Sequence, residues 1–155
     1  MKAVVQRVIN ASVSVDNAVI GKIENGLLVY LGVARNDKNT DADWLAEKIV
    51  NLRVFNDADG KMNMSLKDLI TDGKSAGVLA ISQFTLLGDA RKGRRPSWDG
   101  AALPEEAKQL YEYFIETVKK HKVTCESGEF QAFMAVTYIN DGPVTIILDT
   151  SEVKL

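Results

Sequence analysis

Cysteine, histidine and proline are scarce: one, one and three in 155 residues. A lone Cys125 excludes an intrachain disulfide and any metal knuckle built on two thiolates. It lacks a reactive-cysteine motif, so it reads as a small buried thiol, at home in a reducing compartment. His121 as the only imidazole excludes every site that needs two. It is also the only base open to a Ser-His-Asp mechanism, yet it sits in Lys119-Lys120-His121-Lys122. There a solvated cation complementing a helix dipole is the expected role. No apolar run approaches the ~20 residues of a membrane span. Met1-Lys2-Ala3-Val4-Val5-Gln6-Arg7 meets charge before a signal-peptide core can form. No P-loop and no Gly-rich dinucleotide fingerprint occurs, so no cofactor and no metal are expected. Asp57-Ala58-Asp59-Gly60 resembles half a calcium loop, but without the full spacing and closing Glu it reads as a hairpin turn.

The formal charge of −2 gives no global basic field, so a nucleic acid would have to meet a local patch. Hydrophobic residues at 46% and charged residues at 26% are ordinary for a globular chain. The length predicts one domain over residues 1–155, soluble and cytoplasmic.

Residues 2–15 alternate Val and Ile with polar residues, a strand signal. Asp16-Asn17 supplies a turn, and Ala18 to Glu24 reads as the return strand. After Asn25-Gly26, the run Leu27-Leu28-Val29-Tyr30-Leu31-Gly32-Val33 suits a strand buried on both faces. Thr40 or Asp41 caps a helix to about Leu52, with Trp44, Leu45, Ile49 and Leu52 on its apolar face. Arg53-Val54-Phe55 reads as a short strand, and Gly77 to Leu86 as the most strand-like interior segment. Gly88 to Gly100 is the longest loop. Pro104 opens a second helix. Two terminal strands, Phe133 to Ile139 and Val144 to Leu148, are expected to be joined by Asn140-Asp141-Gly142-Pro143. The fold predicted is α+β: a curved, barrel-like, mainly antiparallel sheet with two main helices.

Three segments carry polar chemistry. Ser82-Gln83-Phe84-Thr85-Leu86 sets polar side chains at the end of an apolar strand, where free backbone N–H groups can hold a carbonyl or oxyanion. Its spacing alone favours a strand end whose hydroxyls satisfy a turn. Gly142-Pro143 could be a plain tight turn, or a cis pair whose carbonyls point one way to accept an ammonium. Asp89 to Gly100 holds four basic residues (Arg91, Lys92, Arg94, Arg95) against two acidic ones, with Trp98 as a stacking face. That is one local phosphate contact or a solvated loop with an aromatic anchor.

Together these segments resemble the D-aminoacyl-tRNA deacylase family. The resemblance runs in order through Gln6-Arg7-Val8, Ala11-Ser12-Val13, Gly26-Leu27-Leu28-Val29, Gly60-Lys61-Met62-Asn63, Ser82-Gln83-Phe84-Thr85-Leu86, Arg95-Pro96-Ser97 and Asn140-Asp141-Gly142-Pro143-Val144-Thr145. It implies a homodimer with active sites at the subunit interface, acting on the 3′ end of aminoacyl-tRNA. It implies hydrolysis of the ester of a D-amino acid, and of glycine, which lacks a side chain. Ser82, Gln83, Phe84 and Thr85 are the implied catalytic segment. Gly142-Pro143 is implied to be cis, to enter the partner's pocket and to reject L-substrates, with Phe130 and Met134 beside the substrate. Arg91, Lys92, Arg94 and Arg95 are the implied tRNA contacts. Three positions depart from the family pattern: Gln131 replaces a small residue, Phe133 a polar one and Trp98 a Phe. A small-ester hydrolase, a non-catalytic tRNA-binding module and a purely structural dimer are the competing readings.

Overall fold

The structure is a computed structural model that describes residues 1–153, so the last two residues of the domain expected over 1–155 lie outside it. The elements in order are β1 (Lys2–Val15), β2 (Ala18–Ile23), β3 (Gly26–Gly32), α1 (Asn39–Val50), β4 (Phe55–Asn56), β5 (Met62–Met64), α2 (Leu66–Thr71), β6 (Gly77–Ser82), α3 (Pro104–Lys120), β7 (Thr124–Ser127) and β8 (Ala135–Asp149). Short 3₁₀ turns cover Phe84–Leu87 and Thr150–Glu152.

The long strand β1 organises the sheet. Its first half pairs antiparallel with β3 and its second half with β2, while β8 runs antiparallel along its other edge. From β3 the sheet continues through parallel partners β6 and β7. Asp16 and Asn17 link β1 to β2 with φ of 48° and 64°. Two central residues at positive φ match the right-handed twist of a tight hairpin. The sheet curls until β2 meets β7: a Cβ on Gly21 would lie 2.7 Å from the Ser127 carbonyl oxygen. The result is a nearly closed barrel with helices against one face, the α+β architecture read from the sequence.

The apolar run of β3 is buried on both faces, as its composition requires. Leu27, Val29 and Leu31 join Ala3, Val5 and the helix residues Leu45, Ile49, Phe114 and Val118. Leu28 instead joins Val8, Val13, Leu79 and Ile81 inside the barrel, with Tyr30 and Tyr138 packed beside them. Each fully buried Leu or Ile contributes roughly 1.5–3 kcal/mol, so these two clusters carry the fold.

Four expectations are corrected. Lys38, not Thr40 or Asp41, is the N-cap of α1; Asp41 acts three residues on, its Oδ2 accepting the Lys38 N–H at 2.8 Å. Gly77 to Leu86 is not one strand, because β6 ends at Ser82 and the chain turns into a 3₁₀ segment. The short strand expected at Arg53 begins at Phe55. The terminal strands form no hairpin. Both run in one direction along β1 as β8, and Asn140 to Val144 is a bulge opposite Arg7. Two elements went unread: β7, and α2, whose Ser65 N-cap oxygen accepts the Asp68 N–H at 3.2 Å.

Candidate active site

At the end of β6 the Gln83 N–H makes a last bond to the Leu31 carbonyl, 2.8 Å. The chain then closes a 3₁₀ turn in which Leu86 N–H reaches Gln83 O at 3.2 Å and Gly88 N–H reaches Thr85 O at 3.0 Å. In such a turn the first N–H groups, here those of Phe84 and Thr85, precede the internal bonds and have no partner within the turn. Ser82 and Gln83 are half-buried, Phe84 and Thr85 exposed. The Gln83 side-chain amide donates to the Thr85 hydroxyl, tying the polar groups together.

Phe84 packs edge-to-face on Trp98, with ring centroids 5.2 Å apart and planes at 69°. Trp98 in turn lies on Gly88, where a Cβ would come within 2.6 Å of Cζ3. Only glycine lets the indole approach so closely. The basic loop starts from the same place. Asp89 and Ser97 exchange two backbone bonds of 2.8 and 2.9 Å at its base. Arg91, Lys92, Arg94 and Arg95 are all exposed. Arg91 folds back onto Asp89, donating at 2.9 Å from Nε and 2.6 Å from its terminal nitrogen. Those side-chain bonds, with the Arg91 backbone N–H, hold the Asp89 carboxyl well below the usual carboxylate range.

The segment after β7 brings Phe130 and Met134 to the same end of β6. The Met134 sulfur rests against Gly128, and the Phe130 ring packs on Tyr111 at 6.0 Å. Gln131 sits at φ 68°, in the left-handed region. Phe133 is 99% exposed.

Gly142-Pro143 is cis and exposed at the crest of the β8 bulge. Asn140 and Thr145 bound the bulge, facing Val8 and Gln6. Beneath it lies Arg7, 5% exposed, whose guanidinium donates to Asp141 O at 3.2 Å, to Val54 O and to Asn56 Oδ1 at 3.5 Å. Asn140 Nδ2 closes the base, donating to Arg7 O at 2.9 Å and Val144 O at 3.2 Å. Sequence reasoning gave neither residue a role. The available signal was an arginine inside a Val-rich strand, where a buried charge must be paired.

Ser82–Thr85, Trp98, and Phe130 with Met134 therefore share one end of β6. Gly142-Pro143 is apart from them, since β1 and β3 lie between β8 and β6. His121 caps α3, its N–H on Val118 O at 3.0 Å. Burial pushes the Cys125 thiol up to about 12.

The family model described as D-Tyr-tRNA(Tyr) deacylase matches residues 4–149. A D-aminoacyl-tRNA deacylase of Thermosipho melanesiensis is 54% identical over 99% of both chains. One of Fervidobacterium nodosum is 56% identical over 99% of both. A solved structure titled as a c-Myc DNA unwinding element binding protein is 39% identical with a TM-score of 0.86, covering 96% of this chain and 98% of that one. A probable eukaryotic D-amino acid tRNA deacylase shares the fold at TM-score 0.77 and 15% identity, over 95% of this chain and 97% of its own.

Proposed function

The chain belongs to the D-Tyr-tRNA(Tyr) deacylase family, and from that membership we propose that it hydrolyses the ester joining a D-amino acid to the 3′ end of tRNA. The observation that carries this reading is a match over nearly the full length of both chains, 54% identical to a D-aminoacyl-tRNA deacylase. The enzyme is a hydrolase of carboxylic esters. Its substrates include glycyl-tRNA charged on a non-cognate tRNA, because glycine offers no side chain to exclude. It works in the cytoplasm, where aminoacyl-tRNA is used, as one domain over residues 1–155.

An aminoacyl ester is already activated, so positioning it and a water is most of the task. Proximity and orientation supply roughly 7–11 kcal/mol in favourable cases. The N–H groups of Phe84 and Thr85 that the turn leaves unpaired bind the scissile carbonyl. Carbonyls flanking Gly142-Pro143 hold the α-ammonium. With both groups pinned, a D side chain points to solvent and an L side chain strikes the bulge. The free 2′-hydroxyl of the terminal ribose orients the water. Lys92, Arg94 and Arg95 receive phosphates of the acceptor end, and Phe130 and Met134 border the substrate.

This arrangement needs two copies. Within one protomer β1 and β3 separate the bulge from Ser82–Thr85, so each bulge serves its partner's cleft. Two features support a self-complementary face. The outer edge of β8 has no strand partner among the described residues, and Ile139 and Ile147 are exposed along it. Exposed apolar edges of this kind are protected by association.

A time course of D-Tyr-tRNA hydrolysis tests the function; absence of turnover with retained tRNA affinity would establish a binding module instead. The DNA-binding title of the 39% identical structure is what favours that second reading. A tRNA ending in 2′-deoxyadenosine tests the water-orienting step: hydrolysis at an undiminished rate removes the ribose hydroxyl from the mechanism.

A further inference from the structure

We propose that Tyr111 is a positioning residue that fixes the separation of the Ser82–Thr85 turn from the Phe130–Met134 segment; this rests on the deacylase reading above. The parallel ladder of β6 and β7 ends at the pair Ala80 and Ser127. Beyond it the strands part. One leads to Ser82, the other to Gly128 and on to Met134. The Ala80 carbonyl stands at the fork and accepts two donors, the Gly128 N–H at 3.1 Å and the Tyr111 hydroxyl at 2.8 Å. The Gly128 carbonyl lies 3.5 Å from the same hydroxyl. One oxygen on α3 thus touches both arms.

The helix makes that oxygen a fixed point. Tyr111 is 3% exposed and shares its face of α3 with Phe114, Ile115 and Val118, all buried. Its ring leans on Phe130 with centroids 6.0 Å apart, a second tie to the same arm. Burial shifts its phenol upward, so the hydroxyl keeps its proton and remains a donor. Catalysis by orientation is sensitive to such supports: misplacement by ~1 Å can slow a reaction ~100-fold.

Tyr111→Phe isolates the hydroxyl. Ala80 O keeps its Gly128 partner, so the variant folds, with a Tm lower by about 2–4 °C. The expected result is a fall in kcat of about 10- to 100-fold on D-Tyr-tRNA with KM within about threefold. Amide exchange should quicken at Gly128 and Gln83 and not in β1. Ile49→Val, in the helix-facing core and on α1, which carries neither arm, is the control for a similar loss of stability. It should leave kcat unchanged. If Tyr111→Phe keeps wild-type kcat, or if Ile49→Val lowers it equally, the positioning role is overturned. If Tyr111→Phe does not fold, quickened exchange confined to these two arms in mildly destabilising urea, against unchanged exchange in β1, decides for the wild type; uniform exchange overturns the role. Wild-type enzyme that releases no D-tyrosine would instead overturn the functional reading itself.

Discussion

The Arg7 guanidinium and the Asp141 carboxylate meet at 2.8 Å behind Gly142-Pro143, with the arginine side chain 7% exposed. A charge that deep in a strand is stable only while its donors are filled; the β8 bulge supplies the Asp141 acceptors, and Val54 O and Asn56 Oδ1 the rest. The same pair that satisfies β1 therefore stiffens the Gly142-Pro143 bulge. Rejection by collision works only if the colliding part cannot yield.

Arg7→Met tests that link. It leaves Val54 O and both Asp141 acceptors without their donor, at a cost of about 2 kcal/mol. Tm should fall by roughly 4–8 °C. Hydrolysis of D-Tyr-tRNA should persist while the preference for D over L shrinks. Thermal melts and paired deacylation assays check both halves; a destabilised variant with undiminished preference separates bulge stiffness from selectivity.

The basic loop gives a graded prediction. Arg91 is already engaged by Asp89, whereas Lys92, Arg94 and Arg95 are exposed and form no ion pair among the described residues. Replacing Arg94 or Arg95 with Ala should weaken tRNA binding more than Arg91→Ala does. Each lost phosphate contact should reduce the slope of log K against log salt by ~0.7–0.9. Binding titrations at several salt concentrations measure this.

Buried acids make the fold sensitive to base. Burial pushes the Cys125 thiol from 9.0 up to about 12, and burial, with Tyr138 nearby, pushes the Tyr30 phenol from 10.0 up to about 12. The unfolded chain releases these protons first, so it binds fewer of them above pH ~9. Stability is full below that point and falls as pH rises toward about 12. Urea midpoints across this window should decline. Cys125 should resist alkylation at about pH 8 until urea is added, and His121→Ala should keep its deacylation rate within about twofold.

Five non-glycine residues occupy the left-handed region, and two of them, Lys122 and Gln131, lack the short Asn or Asp side chain that tolerates it. Lys122 follows the end of α3 at φ 62°, and Gln131 lies between Phe130 and Met134 at φ 68°. Lys122→Gly should raise stability by about 0.5–1 kcal/mol. Gln131→Gly should do the same, and calorimetry reads either gain.

Much of this fold was legible locally. The double-faced burial of β3 followed from an unbroken apolar run, and the β1–β2 hairpin from Asp16-Asn17. What misled was chemistry decided at long range. Asn140-Asp141-Gly142-Pro143 has every mark of a turn, yet pairing with β1 on both sides makes it a bulge. Similarly, Gln83 looked like strand until its N–H was seen to end the ladder at Leu31. Of the site, Ser82–Thr85 and Gly142-Pro143 stood out as segments of polar chemistry, but only the family resemblance gave them roles. Arg7 and Asn140 were silent because their partners lie about 130 residues away in sequence.

The most direct test of stereochemical control by the bulge is the ratio of initial rates on D-Tyr-tRNA and L-Tyr-tRNA, for wild type and Pro143→Ala. Wild type should release D-tyrosine and spare the L-ester, and the variant's ratio should drop at least ~10-fold, or ~1.4 kcal/mol of discrimination. A wild type that cleaves both esters alike, or a variant as selective as its parent, would contradict it.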